Sequence, residues 1–157
     1  MDYRRYIEYQ TFVPSTLVWA FGAGLLAGGL TWLLMLGSEK YVVGMVLCAN
    51  GNTACGAAPT ISILAALIVA HFLGLIMLIR AIVMRPLLVI LASIASVWGF
   101  QSWLGGQSWW MASLMLALLF GLAYALYAWI NRLLFFPLAL ALTIATVVGA
   151  RLLLMTW

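Results

Sequence analysis

Charged side chains are scarce in this chain. Only 6% of its 157 residues are charged, whereas soluble domains carry about 25%. Hydrophobic residues make up 68% of the chain, and its mean hydropathy is +1.20. This scarcity excludes an ordinary soluble domain. It predicts an all-α integral membrane protein that forms a single membrane domain over residues 1–157.

Carboxylates are rarer still, because Asp2, Glu8 and Glu39 are the only three and none lies in a long apolar run. Cation-coupled carriers usually place a carboxylate inside the membrane, and acid–base catalysis usually needs a carboxylate, His or Lys near a nucleophile. The single lysine, Lys40, also lies outside the runs, which excludes a Schiff base within the bundle. Neither a Gly-rich phosphate loop nor a zinc-ligand cluster occurs. We therefore expect no enzymatic activity and no metal site.

What the sequence does contain is a series of five apolar runs, each near the length of about 20 residues that a membrane-spanning helix needs. They predict spans at about 15–37, 61–83, 86–104, 109–130 and 133–154, with an outer loop over 38–60. The short connections after the third and fourth runs predict antiparallel neighbours. The expected fold is a five-helix transmembrane bundle.

The net charge of +4 is spread singly or in pairs at the ends of these runs, so we expect no nucleic-acid partner. Five basic residues fall on one side of the predicted layout: Arg4, Arg5, Arg80, Arg85 and Arg132. Only Lys40 lies in the opposite loops. The positive-inside rule then predicts a cytoplasmic N-terminus and an outer C-terminus, in a multi-pass protein of a bacterial inner membrane.

Small residues recur at four-residue spacing in several spans. In lipid, such residues mark faces where helix backbones can approach closely. The first, fourth and fifth spans carry the longest of these faces: Ala20, Gly24, Gly28; Ser113, Ala117, Gly121, Ala125; and Ala141, Ala145, Gly149. The third has a shorter one around Ala92 and Ser96. We interpret them mainly as packing within the chain, with a homodimer seam or a substrate groove as alternatives. The first span is the best candidate for contact with another chain.

His71, the only histidine, lies in the second span. An ionisable side chain inside a membrane is a functional hypothesis by default. One interpretation is a structural histidine that is hydrogen-bonded to a neighbouring helix, without any cofactor. A second is an axial ligand of haem or chlorophyll, with Gly74 leaving room one turn away. A third is a contact with a substrate or a proton.

Arg80 and Arg151 lie near the ends of the second and fifth spans. Their long side chains could reach out to the headgroup region. The alternative for both is a contact with an anion or a lipid, and for Arg151 also a contact with a partner subunit. Because no acidic residue lies near Arg151 in the sequence, it must use carbonyl groups, water or an anion.

The two cysteines, Cys48 and Cys55, are separated by six residues, "ANGNTA". This spacing is not the C-x-x-C of dithiol oxidoreductases, and no His or carboxylate completes a metal site. Asn50-Gly51 is a strong turn signal, and the predicted outer location is oxidising. The pair predicts a structural disulfide, with a redox pair, a metal site or free thiols as alternatives. The apolar stretch 41–47 before it could be a strand, an interfacial helix or a continuation of the first span.

These features favour a non-catalytic accessory or structural subunit of a larger membrane assembly. Its partners would be the lipid bilayer and either other membrane subunits or further copies of itself. One alternative is a small oligomeric carrier or channel for an apolar or anionic substrate. Another is an electron-transfer subunit that binds haem or a pigment through His71.

Overall fold

The computed structural model describes residues 14–43, 45, 56, 58–104, 106–133 and 135–155. Over these residues the prediction of an all-helical protein is confirmed, and no strand is present in them. Four helices are long and apolar enough to cross a membrane. The α-helices are α1 (Pro14–Ser38), α2 (Ala58–Arg80), α3 (Pro86–Val97), α4 (Gln101–Leu104), α5 (Trp109–Ile130) and α6 (Phe136–Met155).

The first helix does not stop at Ser38, because a π-helical turn, Glu39–Val43, extends it. The first part of the apolar stretch 41–47 is therefore a continuation of the first span. Glu39 and Lys40 lie in this turn, the first with its side chain half-buried and the second exposed. Cys48 and Cys55 lie outside the described residues, so the disulfide stays a prediction.

The second helix begins and ends three residues earlier than the predicted span 61–83. The helix ends earlier because the reversal of the chain that follows it takes up the five residues 81–85. Ile82 and Arg85 both have a φ of 54°, in the left-handed region that bends the chain sharply. Pro86 then opens α3 at a position where its missing N–H costs little.

The third predicted span, 86–104, is not one continuous helix. α3 ends at Val97 after 12 residues, which is about 18 Å of helix, whereas the hydrocarbon core is about 30 Å thick. Trp98 has a ψ of 128° and Gly99 a φ of 93°, so the backbone leaves the helical path there. The four-residue helix α4 follows. In place of five long spans, the described chain has four long helices and one short apolar helix.

Helix α1 lies between α2 and α5 and packs against both of them. It runs antiparallel to α5, since Gly24 faces Gly121 while Gly28, one turn further on, faces Ala117. α3 packs against α5 and α6, and α6 has most of its neighbours on α3. The largest fully buried side chains, Tyr124 and Tyr127, belong to α5. α5 therefore connects the bundle, since it contacts α1, α3 and α6.

Candidate functional site

His71 lies on α2 with its ring in contact with side chains of α5, and it is 3% exposed. Its Nδ1 is 2.9 Å from the carbonyl oxygen of Leu67, one turn earlier on the same helix. Because a carbonyl oxygen only accepts, Nδ1 is the nitrogen that donates. The hydrogen bond is thus made within α2 rather than to a neighbouring helix. The ring contacts Phe120 edge-on, with 4.6 Å between the ring centroids.

The other ring nitrogen of His71, Nε2, is buried without a hydrogen-bonding partner among the described residues. The hydroxyl of Tyr124 is in the same situation, and the centroids of the two rings are 6.0 Å apart. A buried polar group without a partner costs about 1–3 kcal/mol. The α2–α5 interface therefore holds two such groups side by side.

The face of Gly74, which the haem interpretation requires to be open, is filled. A Cβ built on Gly74 would lie 3.0 Å from the Tyr124 hydroxyl oxygen and 3.5 Å from Cβ of Ala27. Phe120 covers another side of the His71 ring. The glycine therefore lies where Tyr124 of α5 and Ala27 of α1 come close to α2.

Arg151 forms the second group of functional interest. Its Nη1 donates a hydrogen bond of 2.6 Å to the carbonyl oxygen of Trp98. Trp98 is the C-terminal cap of α3, where the negative end of the helix dipole attracts a cation. Of the partners expected for Arg151, the structure provides a backbone carbonyl. Thr143 and Thr146 do not take part, since each hydroxyl bonds a carbonyl of α6 itself.

Gly99 lies beside this contact, and its backbone conformation shapes the end of α3. Its φ of 93° is a backbone conformation that residues with a Cβ rarely adopt. A Cβ built there would lie 3.5 Å from Nη1 of Arg151, an ordinary contact. The end of α3 is therefore shaped by a glycine and capped by an arginine from another helix.

The start of α3 also contacts the start of α6 through an arginine. The guanidinium carbon of Arg85 lies 4.6 Å from the ring centroid of Phe136, a cation–π contact. Since Arg85 precedes α3 and Phe136 begins α6, the two helices run parallel, with an arginine contact near each end. Arg80, by contrast, is the exposed last residue of α2.

The predicted small-residue faces of the first and fourth spans pack against each other. A Cβ on Gly24 would lie 2.8 Å from Cα of Gly121, and one on Gly28 would lie 2.8 Å from Cα of Ala117. Both distances are shorter than real Cβ atoms tolerate. This glycine face of α1, expected to be the best candidate for another chain, is therefore occupied by α5. Ala20 is fully buried, while Ser113 and Ala125 are half-buried.

The small faces of the other two helices differ from each other. On α3, Ala92 and Ser96 are both buried. The Ser96 hydroxyl donates to the Ala92 carbonyl, so it accepts a 2.5 Å hydrogen bond from the Tyr127 hydroxyl of α5. On α6, Ala141 and Ala145 are exposed, and apart from its chain neighbours and the backbone of its own helix, no described atom lies within 4 Å of a Cβ built on Gly149. The α6 face therefore points away from the chain.

A narrow apolar cleft lies where α1, α2, α3 and α5 meet. Its lining is Thr31, Ile63, Leu67, Ile94, Val97, Trp98, Leu116 and Phe120. The hydroxyl of Thr31 is already bonded to the carbonyl of Ala27, at 2.7 Å. In the part of the chain that the structure describes, no three His, Cys, Asp or Glu side chains come together to hold a metal ion.

Several of these residues were not singled out by the sequence. Tyr124 and Tyr127 carry the polar groups of the α5 interface, and Trp98 and Gly99 end α3. A usable signal existed for the tyrosines, since hydroxyls in the middle of an apolar helix need partners. Another existed for the break, since Gln101 is a polar residue within a predicted span.

Comparisons with known proteins give no relative for this arrangement. No protein-family model matches the chain, and searches of curated proteins and of solved structures also find no match.

Proposed function

We propose that this protein is a non-catalytic subunit of a larger membrane assembly and that α6 docks against a membrane helix of its partner. The observation that carries the proposal is the exposure of α6. In its apolar window 11% of the residues are buried, against 39–44% in the other three long helices. Among the described residues α6 therefore has few neighbours, and its exposed face can be covered by another protein.

The exposed face of α6 is of the kind on which membrane helices associate. At about 100° per residue, Ala141, Ala145 and Gly149 lie on the side away from the buried Ala139 and Thr143. Within this same chain, an equivalent stripe on α1 is the surface that α5 contacts backbone to backbone. The partner expected on α6 is therefore an apolar helix that also presents small residues.

Photo-cross-linking in the native membrane tests this docking. Leu152 is 59% exposed and lies on the same face as Ala145, so a photo-reactive amino acid at position 152 should give one discrete adduct. Ala145→Leu should abolish that adduct, because its side chain keeps the partner helix away. Ala65→Leu, the same change at an exposed position of α2, is the matched control and should leave the adduct intact.

The mass of the adduct separates the candidate functions. An adduct with a different protein supports the subunit proposal. A mass of twice the chain would instead support the oligomeric carrier or channel. Failure of position 152 to form any adduct, or an adduct that survives Ala145→Leu, would exclude docking through this face.

We also propose that the chain crosses the membrane five times, with α3, the break and α4 together making the third crossing. The contact of Arg85 with Phe136 supports this arrangement, because it places residue 85 at the Ile130 end of α5. Residue 108 lies at the opposite end, about 33 Å away along α5. With the N-terminus inside, the loop 38–60 then lies outside the cytoplasm, in the periplasm if the membrane is a bacterial inner membrane.

In that location Cys48 and Cys55 form a disulfide. Alkylation of the purified protein should shift its mass only after reduction. Labelling of both thiols without a reductant would contradict the disulfide and the oxidising location together.

One observation favours the carrier as a second candidate function. Carriers often bind substrates where a membrane helix is interrupted, and α3 is interrupted beside Arg151. A transport assay with vesicles would support this function if uptake of an anion depended on Arg151. The visible absorption spectrum of the purified protein tests the electron-transfer alternative, since haem or chlorophyll absorbs strongly at visible wavelengths.

A further inference from the structure

The end of α3 lies well short of the Trp109 end of α5. Val97 and Trp98 line the same cleft as Leu116 and Phe120 of α5. These two residues are seven and eleven positions into α5, which is about 10–17 Å from its Trp109 end. α3 therefore stops short of that end, and we call the region beside its last turn, where the backbone leaves the helical path at Trp98 and Gly99, the notch.

Arg151 places a positive charge in this notch. The guanidinium group has five N–H donors, and the Trp98 carbonyl accepts from one of them. Arg151 is half-buried, so part of it faces the surroundings of the bundle. The only carboxylate in the described part of the chain is Glu39, which lies beyond the end of α1. The long helices themselves contribute no negative side chain to balance the cation.

The tryptophans around the notch indicate that the headgroup region reaches down to it. Tryptophan concentrates at the membrane–water interface. Trp109 and Trp110 are exposed at the end of α5, and Trp103 and Trp98 are also exposed, at 50% and 36%, on the way down to the end of α3. An intramembrane arginine commonly thins the bilayer around it. Exposed tryptophans therefore extend from the end of α5 to the end of α3.

We propose that Arg151, beside the end of α3, binds the phosphate group of a phospholipid at this notch. The planar guanidinium can pair two donors with two phosphate oxygens. Gly99 has no side chain to obstruct the approach, and the exposed indoles of Trp98 and Trp103 lie beside the lipid. The Trp98 carbonyl and the lipid phosphate then accept from different N–H groups of the same guanidinium group.

Native mass spectrometry of the full chain, purified in mild detergent, tests this site. The probes are phosphatidylglycerol and a diacylglycerol with the same acyl chains. Wild-type protein should retain the phospholipid, whereas the diacylglycerol, which lacks the phosphate, should be lost. Equal retention of both lipids would overturn the proposal without the use of any variant.

Three variants locate the site. Arg151→Gln should retain about tenfold less phosphatidylglycerol, because the charge-assisted pair of hydrogen bonds is removed. Arg151→Lys should fall in between, since it keeps the charge and loses the fork. Arg80→Gln, which removes an exposed arginine at the opposite end of the bundle, should match wild type. Equal loss in Arg80→Gln and Arg151→Gln would show a general charge effect and would contradict the site.

Inorganic phosphate in the buffer identifies the source of the phosphate group. If the lipid is the ligand, millimolar inorganic phosphate should leave the bound phosphatidylglycerol in place. A phosphate adduct that replaces the lipid would overturn the assignment to a phospholipid. This outcome is independent of α6 docking, which is measured at Leu152 on another face of the helix.

Discussion

Two tyrosines on α5, three residues apart, differ in how their hydroxyl groups are satisfied. Tyr127 donates to Ser96 of α3, while the Tyr124 hydroxyl has no partner among the described residues. Both side chains are almost completely buried. One chemical change, removal of the hydroxyl, should therefore have different effects at the two positions.

Tyr127→Phe should lower the free energy of unfolding by about 0.5–1.5 kcal/mol, the usual net value of one hydrogen bond. Tyr124→Phe should leave it unchanged or raise it, because it removes a polar group that is buried without a partner. Unfolding in mixed micelles of mild detergent and SDS measures both. A larger loss for Tyr124→Phe than for Tyr127→Phe would mean that the Tyr124 hydroxyl has a partner in the membrane.

The break in the third predicted span depends on the backbone conformation of Gly99. Gly99→Ala should lower the free energy of unfolding by roughly 1–2 kcal/mol, since a Cβ is disfavoured in the left-handed region. The new methyl group meets Arg151 only at ordinary contact distance, so the cost belongs to the backbone. Gly106→Ala is the control, because Gly106 has no positive φ and nothing within 4 Å. Equal unfolding of the two variants in SDS titrations would contradict this account.

Among the helices, α1 and α5 make the closest contact, and it depends on two glycines. Gly28→Ala should lower the free energy of unfolding by about 1–3 kcal/mol, the usual cost of overpacking, because its Cβ would meet the α5 backbone. Gly22→Ala on the same helix has open space and should be neutral or slightly stabilising. The comparison is made by SDS titration. Similar stability of both variants would mean that the helices separate easily.

The sequence predicts the long helices well and their partners poorly. Apolar length alone places α5 at 109–130, because a membrane helix must satisfy its own backbone across the bilayer. The same criterion fails at 86–104, since Trp98, Gly99 and Phe100 are all apolar and hydropathy does not report φ. Hydropathy likewise does not predict the left-handed φ of 54° at Arg85.

Small-residue faces illustrate the same limit for the candidate site. Spacing indicates that Gly24 and Ala145 each lie on a face that another backbone can approach. It cannot tell that the first face is filled by α5 and the second is open, because that choice depends on how all helices share the available space. His71 is similar, since spacing puts it in the membrane but does not reveal that its ring meets Tyr124.

For the molecule as a whole, the number of crossings is the central question. With five crossings, the turn at 81–85 and the turn at 106–108 lie on opposite sides of the membrane. We expect an impermeant maleimide added to intact cells to label Gly106→Cys and not Met84→Cys, in a background with both native cysteines replaced by serine. Met84 is 53% exposed, and Gly106 is exposed too. Labelling of both positions, or of neither, would mean that residues 86–108 begin and end on the same side of the membrane and do not cross it.

The arginine cap on α3 also has a consequence for biosynthesis. The carbonyl of Trp98 and the guanidinium of Arg151 are 53 residues apart in the chain. At about 5–20 residues per second, the ribosome needs roughly 3–10 s to make that interval. During this time the short helix has emerged and its cap does not yet exist. The cap on α3 can therefore form only after residue 151 has been made, so α3 and the break that follows it leave the ribosome without their arginine.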